Sequence, residues 1–308
     1  MEPWAGDACS LVEAFRRRER SPREELDATL AAIEGSSLNA WSYLDESAAR
    51  RRAEAADVSL PFGGVPIGVK ELDHVAGWPY TQASVPLAGQ VSEYDSTKVS
   101  RLRDAGAVLV GMTTASEFGG VNLTRTKLNG ITANPWQLDR TPGGSSGGTA
   151  AAVAGGHITV GTAGDGGGSI RIPAGFTGML GLKVTYGRIP RGPHAEIGSL
   201  TAVPGCISRS VRDTARWLDV SSGHDARDPL SLPRIDGWEE RLGSQLDGLR
   251  GARVAIIPTF ANATVAPEVV GIVEELAAWM TNELGLRRVD VDIRIPSMGT
   301  AWALAGLI

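Results

Sequence analysis

The 308-residue chain predicts an α/β fold, a mixed β-sheet core surrounded by helices. Two observations point there. Short apolar runs recur at residues 65–69, 107–110 and 157–160, each bounded by glycine and polar turns. Helical patterns fall between them, notably over 97–105 and 148–154. Strands that alternate with helices build a parallel or mixed sheet with helices on its faces.

The elements follow in order. Residues 1–60 carry charge and helical periodicity. Ser21-Pro22-Arg23-Glu24 reads as an N-cap, Pro at N1 and an acidic first turn, leading into LDATLAAIE. From Gly63 the texture changes to the apolar runs above, and the core is expected over 61–220. Residues 221–237, rich in Asp, Pro and Gly, read as a surface linker. A further strand–helix–strand unit is expected over 253–257, 268–284 and 289–293, within a C-terminal part that starts at 238. The whole is read as a single domain. Its last residues, SMGTAWALAGLI, begin like a capped helix and end apolar without a C-cap, which fits either a last turn docked on the core or, the reading taken here, a domain incomplete at its C-terminus. Trp302, Leu304 and Leu307 are then expected to be exposed, and the chain to self-associate.

Composition narrows the function classes. A net charge of -5 gives no electrostatic reason to expect nucleic acid or an anionic membrane as partner. The small-residue run 149–164 is interrupted by Gly155, Gly156 and His157 and lacks the bulk of a membrane span. The first residues have no apolar leader, and a cytoplasmic protein is expected. Cys9 and Cys206 are far apart, without metal-ligand spacing, which fits a reduced setting while leaving a disulfide open. No metal and no cofactor are expected.

The 39 glycines concentrate in PGGSSGG and GDGGGS. The first stretch holds two overlapping G-x-S-x-G matches, centred on Ser145 and Ser146. In an α/β-hydrolase this would be a nucleophile elbow, with His194 or His224 as a downstream base. Pro135 and Pro142 make a poor strand of the residues before it, which argues against that reading. In the second stretch three glycines precede Ser169, so consecutive N–H groups can turn inward, as an oxyanion hole requires. A phosphate-binding P-loop would need a lysine there, and Pro173 interrupts a dinucleotide-binding helix too early.

Of 30 basic residues only Lys70, Lys98, Lys127 and Lys183 are lysines. Arginine cannot act as a base near neutral pH, whereas a buried lysine can lose its proton. Lys70 ends the apolar run GGVPIGVK, so its amine belongs in or beside the core; codon bias plus an ordinary strand-end lysine is the plainer account. Lys98 starts a polar helix and reads as a solvated residue.

The stretch GGSSGGTAAAVAGGHITVGTAGDGGGSIRIPA resembles the signature block of the amidase signature family. GGVPIGVKE, GAVLVGMTTASEF, NPWQLDRTPGG and GLKVTYGRIPR are similar to further blocks of that family. The resemblance implies that fold and an amide hydrolase acting on a small-molecule amide. It makes Ser169 the nucleophile of an acyl-enzyme, Ser145 a bridging serine after a cis bond from Gly144, and Lys70 the base. Ser169 is then expected within hydrogen-bonding reach of Ser145, and Ser145 within reach of Lys70. The N–H groups of Gly166, Gly167, Gly168 and Ser169 become the oxyanion hole, and Asp165 and Arg171 orient the loop. Family members usually run well beyond this length, so the resemblance implies a C-terminal part, not contained here, that completes the sheet and helps shape the acyl pocket. Two other readings stand beside the amidase. One is the glutaminase (A) subunit of a tRNA-dependent amidotransferase, disfavoured by Ile172 where that group usually has glutamine. The other is an inactive relic. Oligomeric state stays open, with a homo-oligomer compatible.

Overall fold

The computed structural model describes residues 1–194, 200–258, 263–292 and 300. Trp302, Leu304, Leu307 and the expected strand end at Ile293 lie outside the described residues. The chain divides into two units, Met1–Glu239 and Glu240–Ile308.

The first unit opens on α1 (Ala8–Arg16) and α2 (Pro22–Glu34). Ser21 caps α2 through a reciprocal pair with Glu24, and Pro22 occupies the first turn. Orphan amides of that turn are thereby satisfied by side chains, as the sequence predicts. The first turn of α1 is held from far along the chain: Asp213 accepts from the Ala8 and Cys9 amides at 3.1 and 3.0 Å. Both cysteines are buried and free.

There follow β1 (Trp41–Leu44), α3 (Glu46–Glu54), β2 (Pro66–Lys70), α4 (Thr97–Asp104) and β3 (Val108–Thr113). A small hairpin of β4 (Arg125–Thr126) and β5 (Gly130–Ile131) precedes α5 (Gly147–Ala154) and β6 (Val160–Asp165). Then come α6 (Arg171–Thr177), β7 (Leu180–Gly181), β8 (Val203–Ser208) and α7 (Val211–Ser221). Six strands form one mixed sheet in the order β1-β3-β2-β6-β8-β7. Its centre is parallel, β2 pairing with β3 and β6, while β1, β7 and β8 run antiparallel to their neighbours. Every residue of β2 and β3 is buried. A parallel centre aligns the strand ends: Lys70 closes β2 opposite Thr113 of β3, and Asp165 closes β6 on the same edge. That edge is where open α/β sheets place their sites.

Three expectations need correction. The run at 157–160 is mostly not strand; β6 starts at Val160, and His157 is buried in the turn before it, accepting from Trp41 Nε1 at 3.1 Å. Strand β8 has no counterpart in the sequence reading, because Pro204 lies inside it. The expected linker at 221–237 is pinned to the first unit: Arg101 donates to the carbonyls of Ser221, Ser222, Gly223 and His224.

In the second unit, β9 (Arg253–Val254) and β10 (Arg287–Arg288) pair in parallel and are joined through α8 (Pro267–Glu283). The expected strand–helix–strand order holds with shorter strands. Helix α8 exposes Ile272, Leu276 and Trp279. Among the described residues no helix is long and apolar enough to cross a membrane.

Candidate active site

At the end of β2 the Lys70 side chain turns into the protein and is buried. Its Nζ donates to Ser145 Oγ and to Ser146 Oγ, both at 2.8 Å. The Lys70 amide donates to Thr162 Oγ1 on β6 at 2.7 Å, which fixes the strand end. Burial disfavours the ammonium and pulls the Lys70 pKa down to about 7. Asp73 opposes that shift, Lys98 adds to it, and Asp165 and Glu71 oppose it more weakly. Near neutral pH a large share of the amine is therefore unprotonated.

Ser145 and Ser146 stand where the loop after Pro142 enters α5. The Gly144–Ser145 bond is cis. Little else than glycine fits at 144, because a Cβ there would lie 2.6 Å from the Leu123 amide nitrogen and 2.8 Å from the Asn122 carbonyl carbon. Neighbouring groups hold the segment from several sides: Thr124 Oγ1 donates to the Gly143 carbonyl at 2.8 Å, and Ser116 N donates to the Ser145 carbonyl at 3.2 Å. Gly148 N donates to the Thr114 carbonyl at 2.9 Å.

Ser169 sits on the loop that leaves the sheet after Asp165, and it is half-buried. The Asp165 carboxylate organises that loop from below. It accepts from Gly168 N at 2.7 Å, from Ile170 N and Arg171 N at 3.3 Å, and from the Arg171 guanidinium at 2.8 and 3.0 Å. Burial works against the charge, yet Arg171 and the Gly168 amide outweigh it and hold the carboxyl below the ordinary range. Gly168 adopts φ of 121°, a region that L side chains rarely enter.

Two expectations about this loop change. The Gly168 amide is engaged by Asp165, so it is not aimed at an oxyanion. Among the described residues the amides of Gly166, Gly167 and Ser169 form no hydrogen bond, and they remain the candidate donors. Nor does a hydrogen bond join the Ser169 hydroxyl to Ser145 among the described residues. Unliganded sites often leave such bonds open until substrate closes them.

Lys98 is not solvated. It is buried and pairs with Asp73 at 2.6 Å. Sequence reasoning also missed Ser146 as a second partner of the lysine, although its adjacency to Ser145 in GGSSGG was the available signal. Glu71 was missed altogether. Its buried carboxyl, raised by desolvation, takes Asn129 Nδ2 at 2.8 Å, Thr81 Oγ1 at 3.0 Å and the Ala115 amide at 3.2 Å. The histidines of the elbow reading lie elsewhere: His194 packs on Tyr94, and His224 Nδ1 meets Ser231 Oγ. The residues before Ser145 form no strand.

The family model described as Amidase matches residues 24–306. The chain belongs to the amidase signature family. Among curated relatives, the glutamyl-tRNA(Gln) amidotransferase A subunit from Deinococcus deserti is 42% identical over 250 residues, covering 79% of this chain and 51% of that protein. Among solved structures, a bacterial aryl acylamidase of the amidase signature family superposes with a TM-score of 0.86 at 31% identity, covering 96% of this chain and 64% of that one. The 6-aminohexanoate cyclic dimer hydrolase superposes with a TM-score of 0.86 at 33% identity, covering 93% and 60%. This amidase signature chain thus spans about half the length of the first of these relatives and under two thirds of the solved structures.

Proposed function

We propose that the chain hydrolyses a small carboxylic amide to acid plus ammonia or amine through an acyl-enzyme on Ser169. The observation that carries this reading is the buried Lys70 amine on Ser145 Oγ at 2.8 Å, beside a loop with uncommitted amides. A serine hydroxyl needs an adjacent base to become a nucleophile, and a desolvated lysine can be that base. Ser169 Oγ attacks the amide carbonyl, its proton passes to Ser145, and the proton of Ser145 passes to Lys70. The amides of Gly166, Gly167 and Ser169 receive the developing oxyanion, each such donor being worth roughly 3 kcal/mol in related acyl transfers. The Lys70 ammonium then returns its proton through Ser145 to the leaving nitrogen. Water hydrolyses the ester by the same route.

The test is labelling by a fluorophosphonate, followed by anilide hydrolysis. Ser169→Ala is expected to abolish labelling, and Ser145→Ala to slow it. The labelling rate should fall as pH drops through about 7, because protonated Lys70 cannot accept a proton. Labelling that persists in Ser169→Ala and maps to Ser145 or Ser146 would overturn the assignment.

A second reading is a glutaminase subunit of an amidotransferase, supported by the similarity to the amidotransferase A subunit of Deinococcus deserti. Ammonia release from glutamine only in the presence of partner subunits would favour it. The free buried cysteines support a cytoplasmic setting for either.

A further inference from the structure

Two of the four lysines, Lys70 and Lys98, are buried, and they lie on one carboxylate network. Asp73 follows β2 by a single turn. Its Oδ1 meets Lys98 Nζ of α4 at 2.6 Å, and its Oδ2 accepts from Thr162 Oγ1 at 2.5 Å. That same Thr162 oxygen accepts the Lys70 amide at 2.7 Å. Both members of the pair are largely withdrawn from solvent, with side-chain exposures of 7% for Lys98 and 12% for Asp73.

Stability alone does not explain such a pair. Apolar residues of similar volume usually serve a buried position as well or better than two desolvated charges. The surroundings of Lys70 suggest another use. Three carboxylates favour its charged form: Asp73 and Glu71 just beyond its own strand, and Asp165 from β6. Asp165 is answered by Arg171 of α6. Glu71 is answered by Asn129, Thr81 and the Ala115 amide, and burial favours its neutral form. The hydroxyls of Ser145 and Ser146, at the entry to α5, carry no charge. Among the described residues Asp73 pairs with one cation, Lys98.

We propose that Lys98 is a positioning residue for the base: by pairing with Asp73 it offsets the carboxylate that would otherwise hold Lys70 as an ammonium. This rests on the reading of Lys70 as the base in amide hydrolysis. The pair sets the charge state of the amine, and Thr162 ties the same carboxylate to the strand end that aims it. The signs are opposite for the two partners. Removing Lys98 leaves a buried carboxylate that favours the Lys70 ammonium. Removing Asp73 leaves a buried ammonium that favours the neutral amine.

Four lysines make the full chain, labelled with 13Cε-lysine, readable by NMR, with the Lys70 resonance assigned by its loss in Lys70→Met. Its titration midpoint is expected at about 7 in the parent. Lys98→Met should raise it by about one to two pH units and Asp73→Asn should lower it, since a neighbouring charge shifts a pKa by roughly that much. Asp73→Asn/Lys98→Met should return to within about half a unit of the parent, as coupled sites do in a double-mutant cycle. In parallel, fluorophosphonate labelling of Lys98→Met should fall about five- to fiftyfold at pH 7, following the fraction of neutral amine, and recover at about pH 9–10. A loss equal at every pH, or a Lys70 midpoint that ignores Lys98→Met in a folded chain, would overturn the proposal. If Lys98→Met does not fold, the opposite shift expected of Asp73→Asn decides: no fall in the midpoint overturns it. Labelling that survives Lys70→Met would instead sink the base reading while leaving the coupling intact, so the two failures are distinguishable.

Discussion

The two glycine-rich loops of the site are built in opposite ways. Residues 143–148 are buried and locked, with the backbone at Gly143, Ser145 and Gly148 bonded to Thr124, Ser116 and Thr114. Residues 165–169 hang on one carboxylate and, among the described residues, leave three amides uncommitted. In the mechanism proposed above the first loop holds the proton relay against Lys70, and the bonds at Gly143, Ser145 and Gly148 fix its backbone. In the same proposal the second loop meets a charge that exists only during the reaction, so its donors stay unspent. Rigidity serves both, but only the first loop uses up its hydrogen bonds to obtain it.

Gly144→Ala should break the comparison most severely. The new methyl would meet the backbone at Asn122 and Leu123, neither of which can rotate away. A loss of about 3 kcal/mol, typical of overpacking at its upper end, is expected in denaturant unfolding, together with loss of labelling. A variant that unfolds within 1 kcal/mol of the parent (about the size of an ordinary substitution) would mean the locked loop can yield.

Asp165→Asn comes next. It removes the charge that gathers the Gly168, Ile170 and Arg171 amides, and it turns an amide NH2 toward donors. Hydrogen bonds to a charged group contribute about 1.5–3 kcal/mol each, but the relaxed loop can reach water, so roughly 2 kcal/mol is expected overall. Labelling should fall about a hundredfold, the scale of one misplaced oxyanion donor. Full labelling would show that the loop does not depend on Asp165 for its shape.

Arg171→Gln sharpens the contrast by having little effect. The guanidinium is 52% exposed, so its pair with Asp165 is screened by water, and under about 1 kcal/mol should be lost. Labelling should change by less than about tenfold. A drop as large as that of Asp165→Asn would mean that Arg171 touches substrate or the reacting atoms.

Much of this was legible in the sequence, for a physical reason. Local signals, such as the Ser21 cap and the helix from Thr97, depend on residues a few positions apart, and they hold in the structure. The burial of Lys70 followed from the apolar strand that ends on it. Lys98 was misread because its burial depends on Asp73, which only the fold brings near. Gly168 was misassigned for a similar reason. A run of glycines says that amides are free to turn, but not which of them Asp165 claims. Strand β8 escaped because Pro204 argues against a strand locally, while its place beside Gly164 is settled by the sheet.

Helix α5 is buried at every residue from Gly147 to Val153, and it reads GGTAAAVA. Such a helix has no outward face on which spelling errors could pass unnoticed. A methyl on Gly148 would sit 2.4 Å from the Thr114 backbone, and one on Gly147 would sit 2.1 Å from the Thr124 hydroxyl. Any chain that builds this site in this way has few other words available for that stretch. The text that makes the family easy to recognise is therefore dictated in large part by close packing beneath the chemistry, and a catalytically dead member with Ser169 replaced would still carry it.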